Sequence, residues 1–158
     1  QTQRQDAFLA ALLHDCGLLL AAARQPGLVA KAVQAATADN TSLPVAERKL
    51  WGTSHAEIGA YLLGLWGLPY PVVEGVARVH SAELLTGADV DVATAVHISA
   101  ALAEAAMHGD LSAVELDADL LARKNLQGRL PELIERVERI IGADVATSEE
   151  PKTTAPVH

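Results

Sequence analysis

The sequence predicts an all-α fold, and three observations carry that expectation. Alanine and leucine abound while aromatic residues make up 3% of the chain. β-branched residues rarely alternate with polar ones for long enough to make a strand, and apolar residues recur at helical spacing between breakers. The first helix, about Arg4 to Arg24, begins almost at the chain terminus and stops before the breaker pair Pro26-Gly27. A second covers about Leu28 to Ala38. Asp39-Asn40-Thr41-Ser42 makes a loop, and a short helix from Pro44 carries Glu47 to Trp51 and is ended by Gly52.

Ser54-His55-Ala56-Glu57 is a capping box: the serine accepts the N3 amide and the glutamate reaches back to the N-cap. The helix it opens runs to about Gly67. Pro69 and Pro71 then force a tight corner before a helix of about Pro71 to Ser81. Thr86-Gly87-Ala88 reads as a loop. Asp89 or Asp91 caps a long helix to about Met107, closed by His108-Gly109-Asp110. Amphipathic pieces follow at about Asp117 to Arg123 and Pro131 to Ile141. Beyond Gly142 apolar periodicity stops, which divides the chain into a helical domain over 1–142 and a flexible tail over 143–158.

A chain of 158 residues, 50% of them hydrophobic, suits one domain with one core. The net charge of -8 leaves no basic stripe to neutralise phosphates, so neither nucleic acid nor an anionic membrane is expected as partner. The single cysteine, Cys16, cannot form an internal disulfide and reads as a small buried hydrophobe. No apolar stretch comes near the roughly 20 residues of a membrane span or looks like a signal peptide, and the expected compartment is the cytoplasm. Trp66 is expected to pack in the Trp-Gly-Leu-Pro corner.

Four of the six histidines fall on apolar helical stripes. His14 shares its stripe with Ala10 and Gly17, His55 with Ile58 and Gly59, His80 with Val73 and Val76, and His97 with Ala93 and Ala101. One inward histidine is most simply a hydrogen-bonded core residue. Four, with small neighbours that let helices approach, point to a shared site, and imidazole is a common metal ligand. Asp15, roughly 100° around the helix from His14, could flank such a site.

The segments AALLHDCGLLLAA, SHAEIGAYLLGLWGLPYPVVEGVARVH, AVHISAALA and LDADLLARKNL together resemble the HDOD domain, the signalling relative of the HD metal-dependent phosphohydrolases. The resemblance runs from about Asp6 to Ile141 and implies a multi-helix, HD-superfamily-like bundle. It also implies a candidate metal-ligand set: His14 and Asp15 match the paired His-Asp ligands, His55 the following histidine, and His80 the second of a double histidine. Val79 stands where the cyclic-dinucleotide phosphodiesterases of the superfamily have the first of that pair, and His97 where they have the last aspartate ligand. Leu18 replaces their lysine, and no Gly-Tyr-Pro element follows His80. The relatives carry helices and a further ligand upstream of the His-Asp pair; with 13 residues before His14, those helices are expected to be missing here.

A binuclear hydrolytic centre needs bridging oxygens and a cation for the transferring phosphoryl group. Their loss implies no catalytic residues and a remnant site, with no cofactor expected, although His14, Asp15, His55, His80 and His97 could hold one divalent transition metal. The implied function is a non-catalytic bacterial signal-transduction module, the output or interaction domain of a response regulator in a two-component system. Its partners would be signalling proteins, and a homodimer is compatible with this reading. The alternative is a metal-dependent phosphohydrolase of the HD superfamily. In the resembled fold upstream helices cover the first helix, so Phe8, Leu9, Leu12 and Leu13 are expected to be partly uncovered.

Overall fold

The computed structural model describes residues 1–148, and these are helical without a β-strand. The expected first helix is two: α1 (Thr2–Leu13) and α2 (Cys16–Arg24), separated at His14-Asp15. There follow α3 (Pro26–Asp39), α4 (Leu43–Trp51), α5 (His55–Leu65), α6 (Tyr70–Ala77), α7 (Val92–Met107), α8 (Ala118–Arg123) and α9 (Leu130–Ser148), with single 3₁₀ turns at Ala82–Leu84, Leu111–Ala113 and Gln127–Arg129. The last helix passes the boundary expected at residue 142. Residues 149–158, the rest of the expected tail, lie outside the described residues.

Local chemistry explains most of the boundaries. The capping box at α5 is complete, with Ser54 N donating to Glu57 Oε2 at 2.7 Å and Glu57 N donating to Ser54 Oγ at 3.3 Å. Gly67 takes φ 75° after α5, so Leu68 N donates to Leu63 O and Gly67 N to Gly64 O, both orphan carbonyls of the last turn. Leu68 is thereby turned back toward Leu63 in the core, and Pro69 then leads into α6. Trp66 is not what fills this corner. It sits at the helix C-cap on the outer side and is 65% exposed. Of the two aspartates offered as caps for α7, Asp91 serves, accepting from Thr94 N at 2.8 Å and Thr94 Oγ1 at 2.6 Å.

One core gathers Ala10 of α1, Ala56, Ala60 and Leu63 of α5, Val72 and Val76 of α6, and Val92 and Val96 of α7. A second, under α8 and α9, packs Leu121 and Leu126 against Ile98 and Leu102 of α7. Thus α7 carries both. α1 packs on α6 and α7, α5 bridges α2 and α6, and α3 with α4 flanks α2.

The tightest approach is between α2 and α5. A Cβ added to Gly17 would strike the His55 carbonyl oxygen and lie 2.5 Å from Gly59 N, and a Cβ added to Gly59 would lie 3.1 Å from both Cys16 Sγ and Gly17 N. Only glycine at both positions lets the two backbones touch.

The outer side of α1 and α2 is apolar and uncovered, with Phe8 72%, Leu12 68% and Leu19 72% exposed, as expected for Phe8 and Leu12; Leu9 and Leu13 are half-buried. By length and composition Thr2–Arg24 reaches the range of a membrane span, with mean hydropathy 1.6 over its most apolar window, so the expectation that no stretch comes close needs correcting. That stretch is divided at His14-Asp15 and packs on α5, α6 and α7.

Replacing glycine at the α2–α5 contact should therefore follow the geometry. Gly17→Ala is expected to cost more than about 3 kcal/mol, beyond the usual overpacking range, and Gly59→Ala about 1–3 kcal/mol. Gly64→Ala, whose added Cβ meets open space on the same helix, should stabilise by about 0.5–1 kcal/mol. Urea unfolding midpoints of the three variants check this order.

Candidate functional site

The glycine contact places the N-termini of α2 and α5 side by side, and the polar cluster forms there. Asp15 is the N-cap of α2, and its carbonyl accepts from Leu18 N and Leu19 N at 3.0 and 3.1 Å. The break between α1 and α2 turns its carboxylate toward α5, where Oδ1 lies 3.6 Å from His55 Nε2. His55 is the first residue of α5 and is buried. His80 is not on a helical stripe as expected; α6 ends at Ala77, and the residue lies in the following turn, largely exposed. Its Nε2 meets His55 Nε2 at 3.1 Å, with the rings edge-on at an interplanar angle of 70°.

Asp15, His55 and His80 each offer one ligand atom within 4.8 Å of the other two. The remaining candidates stand outside this group. His14 donates from Nδ1 to Ala11 O at 2.7 Å and sets Nε2 3.3 Å from Asp15 Oδ2, so it flanks the aspartate. His97 donates from Nδ1 to Val79 O at 2.7 Å and thereby steadies the turn that carries His80.

Sequence reasoning missed the residue that organises the cluster. Glu47 of α4 is completely buried, and its Oε2 accepts from both His55 N at 2.8 Å and His55 Nδ1 at 2.7 Å. A carboxylate at the N-terminus of α5 satisfies an amide that the helix leaves unpaired and complements its dipole. In the sequence Glu47 looked like one more charge on a short helix. The available signal was its position on the face of α4 that also carries Pro44, since Pro44, Ala46 and Glu47 are that helix's buried residues.

Two imidazoles and one carboxylate, backed by a second carboxylate on the far side of His55, fit a single divalent transition ion. They do not fit a binuclear centre, which needs further bridging oxygens; Glu47, the other carboxylate bonded to the cluster among the described residues, is held behind the His55 ring. Among the described residues no lysine or arginine pairs with Asp15 or Glu47; Arg48 pairs with Glu57, Lys49 with Asp39 and Arg78 with Glu74. Cys16, half-buried beside Asp15, has its thiol pushed up by burial and is unsuited to act as a thiolate.

Desolvation of its ring, and then repulsion from His55, push His80 down from 6.5 to about 4, against the opposing pull of Asp15. The folded state therefore prefers the neutral ring. The stability this contributes is complete above about pH 6.5 and is lost as pH falls toward 4. Because water reaches the residue, the effect should be about 1 kcal/mol or less. Urea midpoints between pH 7 and 4 should fall more steeply for the native chain than for His80→Gln.

Glu47→Ala should cost about 3 kcal/mol or more, because it leaves two buried donors of His55 unpaired and opens a cavity. Asp15→Ala should cost about 1 kcal/mol or less, since the carboxylate is 50% exposed and its imidazole contacts are 3.3 and 3.6 Å long. Denaturant unfolding of the two variants checks the difference.

Comparison with known proteins gives one family: the HDOD domain model matches residues 1–82. That span holds α1 to α6, both glycines of the close contact, Glu47, and the His14, Asp15, His55 and His80 positions. It is shorter than the stretch that carries the resemblance in the sequence, and it leaves His97 outside. No curated protein and no solved structure matches the chain. With a match over half its length, carried by the helices that build the polar cluster, the chain belongs to the HDOD domain family.

Proposed function

We propose that this HDOD domain is a non-catalytic bacterial signal-transduction module, the output or interaction domain of a response regulator, with signalling proteins as partners. The observation that carries this reading is the make-up of the cluster. His55 and His80 contact each other directly, the buried carboxylate is spent on His55, and no cation among the described residues stands ready for a phosphoryl group. Phosphoryl transfer depends on such charge neutralisation. Among the described residues an apolar groove of about 200 Å³ reaches a cluster neighbour, lined by Ala11, His14, Val96, Ser99, Ala100 and Ala103. Ligand pockets commonly exceed about 300 Å³.

A net charge of -8 favours protein partners over nucleic acid and anionic membranes, and a cytoplasmic location follows from that reading. A second reading, a metal-dependent phosphohydrolase, is favoured by one observation: the three ligand atoms within 4.8 Å of one another.

Turnover separates the two. With manganese, iron or nickel supplied, hydrolysis of cyclic dinucleotides and simple phosphodiesters should stay at background in both the native chain and Asp15→Ala. Metal-dependent hydrolysis that disappears in Asp15→Ala would establish the phosphohydrolase instead. The full-length gene product tests the regulatory half of the proposal: a receiver domain in the same polypeptide supports it, and a full-length product without one overturns the response-regulator assignment.

A further inference from the structure

Glu47 is buried more deeply than any ligand candidate, yet it is not itself in the ligand group. Both donors on its Oε2 come from one residue, the backbone N–H and the ring Nδ1 of His55. A carboxylate oxygen can only accept, so Nδ1 carries the proton. Sharing one acceptor between the backbone and the ring of the same residue also locks the side-chain torsions. The other oxygen, Oε1, is buried and accepts no hydrogen bond among the described residues, so its charge is not drawn off by another donor.

We infer that Glu47 is the positioning residue that holds the His55 proton on Nδ1 and so turns Nε2, as a lone-pair donor, toward Asp15 and His80 to receive one divalent transition ion. Without an ion, only one proton fits between the two Nε2 atoms at 3.1 Å, and His80 supplies it. Solvent reaches His80, so the ring can exchange that proton through water for one on its other nitrogen and present its own Nε2. His55 has no such freedom, because its Nδ1–H is committed to Glu47. A carboxylate bonded to the far nitrogen of a ligating histidine fixes both tautomer and orientation, and losing it typically costs about 10–100-fold in metal affinity.

This inference concerns binding and stands whether or not the domain hydrolyses anything, so its test does not use turnover. Ni²⁺ and Mn²⁺ are titrated into the chelator-treated full chain by calorimetry. Side-chain ¹⁵N shifts of His55 are read at neutral pH, and unfolding midpoints are taken alongside. Before metal is added His55 should carry its proton on Nδ1 with Nε2 bare, and the native chain should then bind one ion. Glu47→Gln, which keeps an acceptor and removes the charge, should bind about 10-fold more weakly. Glu47→Leu, which removes the acceptor, should bind about 100-fold more weakly and shift the His55 proton to Nε2. If Glu47→Leu does not fold, the charge loss in Glu47→Gln decides. Three results would overturn the inference: a native chain that binds neither ion, binding that survives Asp15→Ala unchanged, or a folded Glu47→Gln whose affinity and His55 shifts equal the native ones.

Discussion

The backbone contact between α2 and α5 is the constraint on which the rest depends. Gly17 and Gly59 meet with no side chain between them, and that approach brings two helix N-termini together. Such ends are crowded with unpaired amides and positive dipole, so carboxylates are needed nearby. Asp15 stands at the N-cap of α2 with its carboxylate turned to His55 and not to the helix amides, Glu47 serves the first amide of α5, and Glu57 completes the capping box on the adjoining serine. Electrostatics at the helix ends thus recruits the residues that make the polar cluster. Had Gly17 carried a Cβ, it would strike the His55 carbonyl, and the helices could not hold Asp15 3.6 Å from His55.

From that contact the rest of the first core follows. With α5 held on α2, its buried stripe of Ala56, Ala60 and Leu63 faces α6, and α6 in turn packs on α1 and α7. The turn after α6 is secured from a different helix, by the bond from His97 to Val79 O. His80 therefore reaches His55 through a chain of packed elements, and its position depends on α7 even though the family match stops at residue 82.

Much of this was legible in the residues. Ser54 and Glu57 announced the start of α5, Asp91 was one of two caps offered for α7, and the histidine stripes singled out the elements that converge. The failures have physical causes. His14-Asp15 interrupts the expected first helix because α2 must swing onto α5, a tertiary demand that apolar periodicity does not encode. His80 kept a helical spacing from Val73 and Val76, yet α6 ends three residues before it, and spacing continues to look helical through a turn. Trp66 was expected inside because it adjoins the corner, but the left-handed Gly67 buries Leu68 instead. Glu47 was invisible as a site residue, because its partner lies eight positions away across a loop and no helical or strand period links them.

The polar cluster is also tied into the fold, whatever chemistry it performs. Asp15 stands at the N-cap of α2, His55 occupies the first position of α5 and fills Glu47's acceptor, His14 ties back to Ala11, and His97 pins the Val79 carbonyl. Removing Glu47 or His55 strands a buried donor or acceptor, at a cost of about 1–3 kcal/mol for each lost partner, whether or not a substrate ever binds. A lysine at position 18 or a carboxylate at position 97 would have no comparable structural role in these contacts. Leu18 lies one turn into α2 and is half-buried, and His97 acts through a backbone carbonyl. The fold's own contacts thus account for a well-bonded pair at the α5 N-terminus with an aspartate and an exposed histidine facing it.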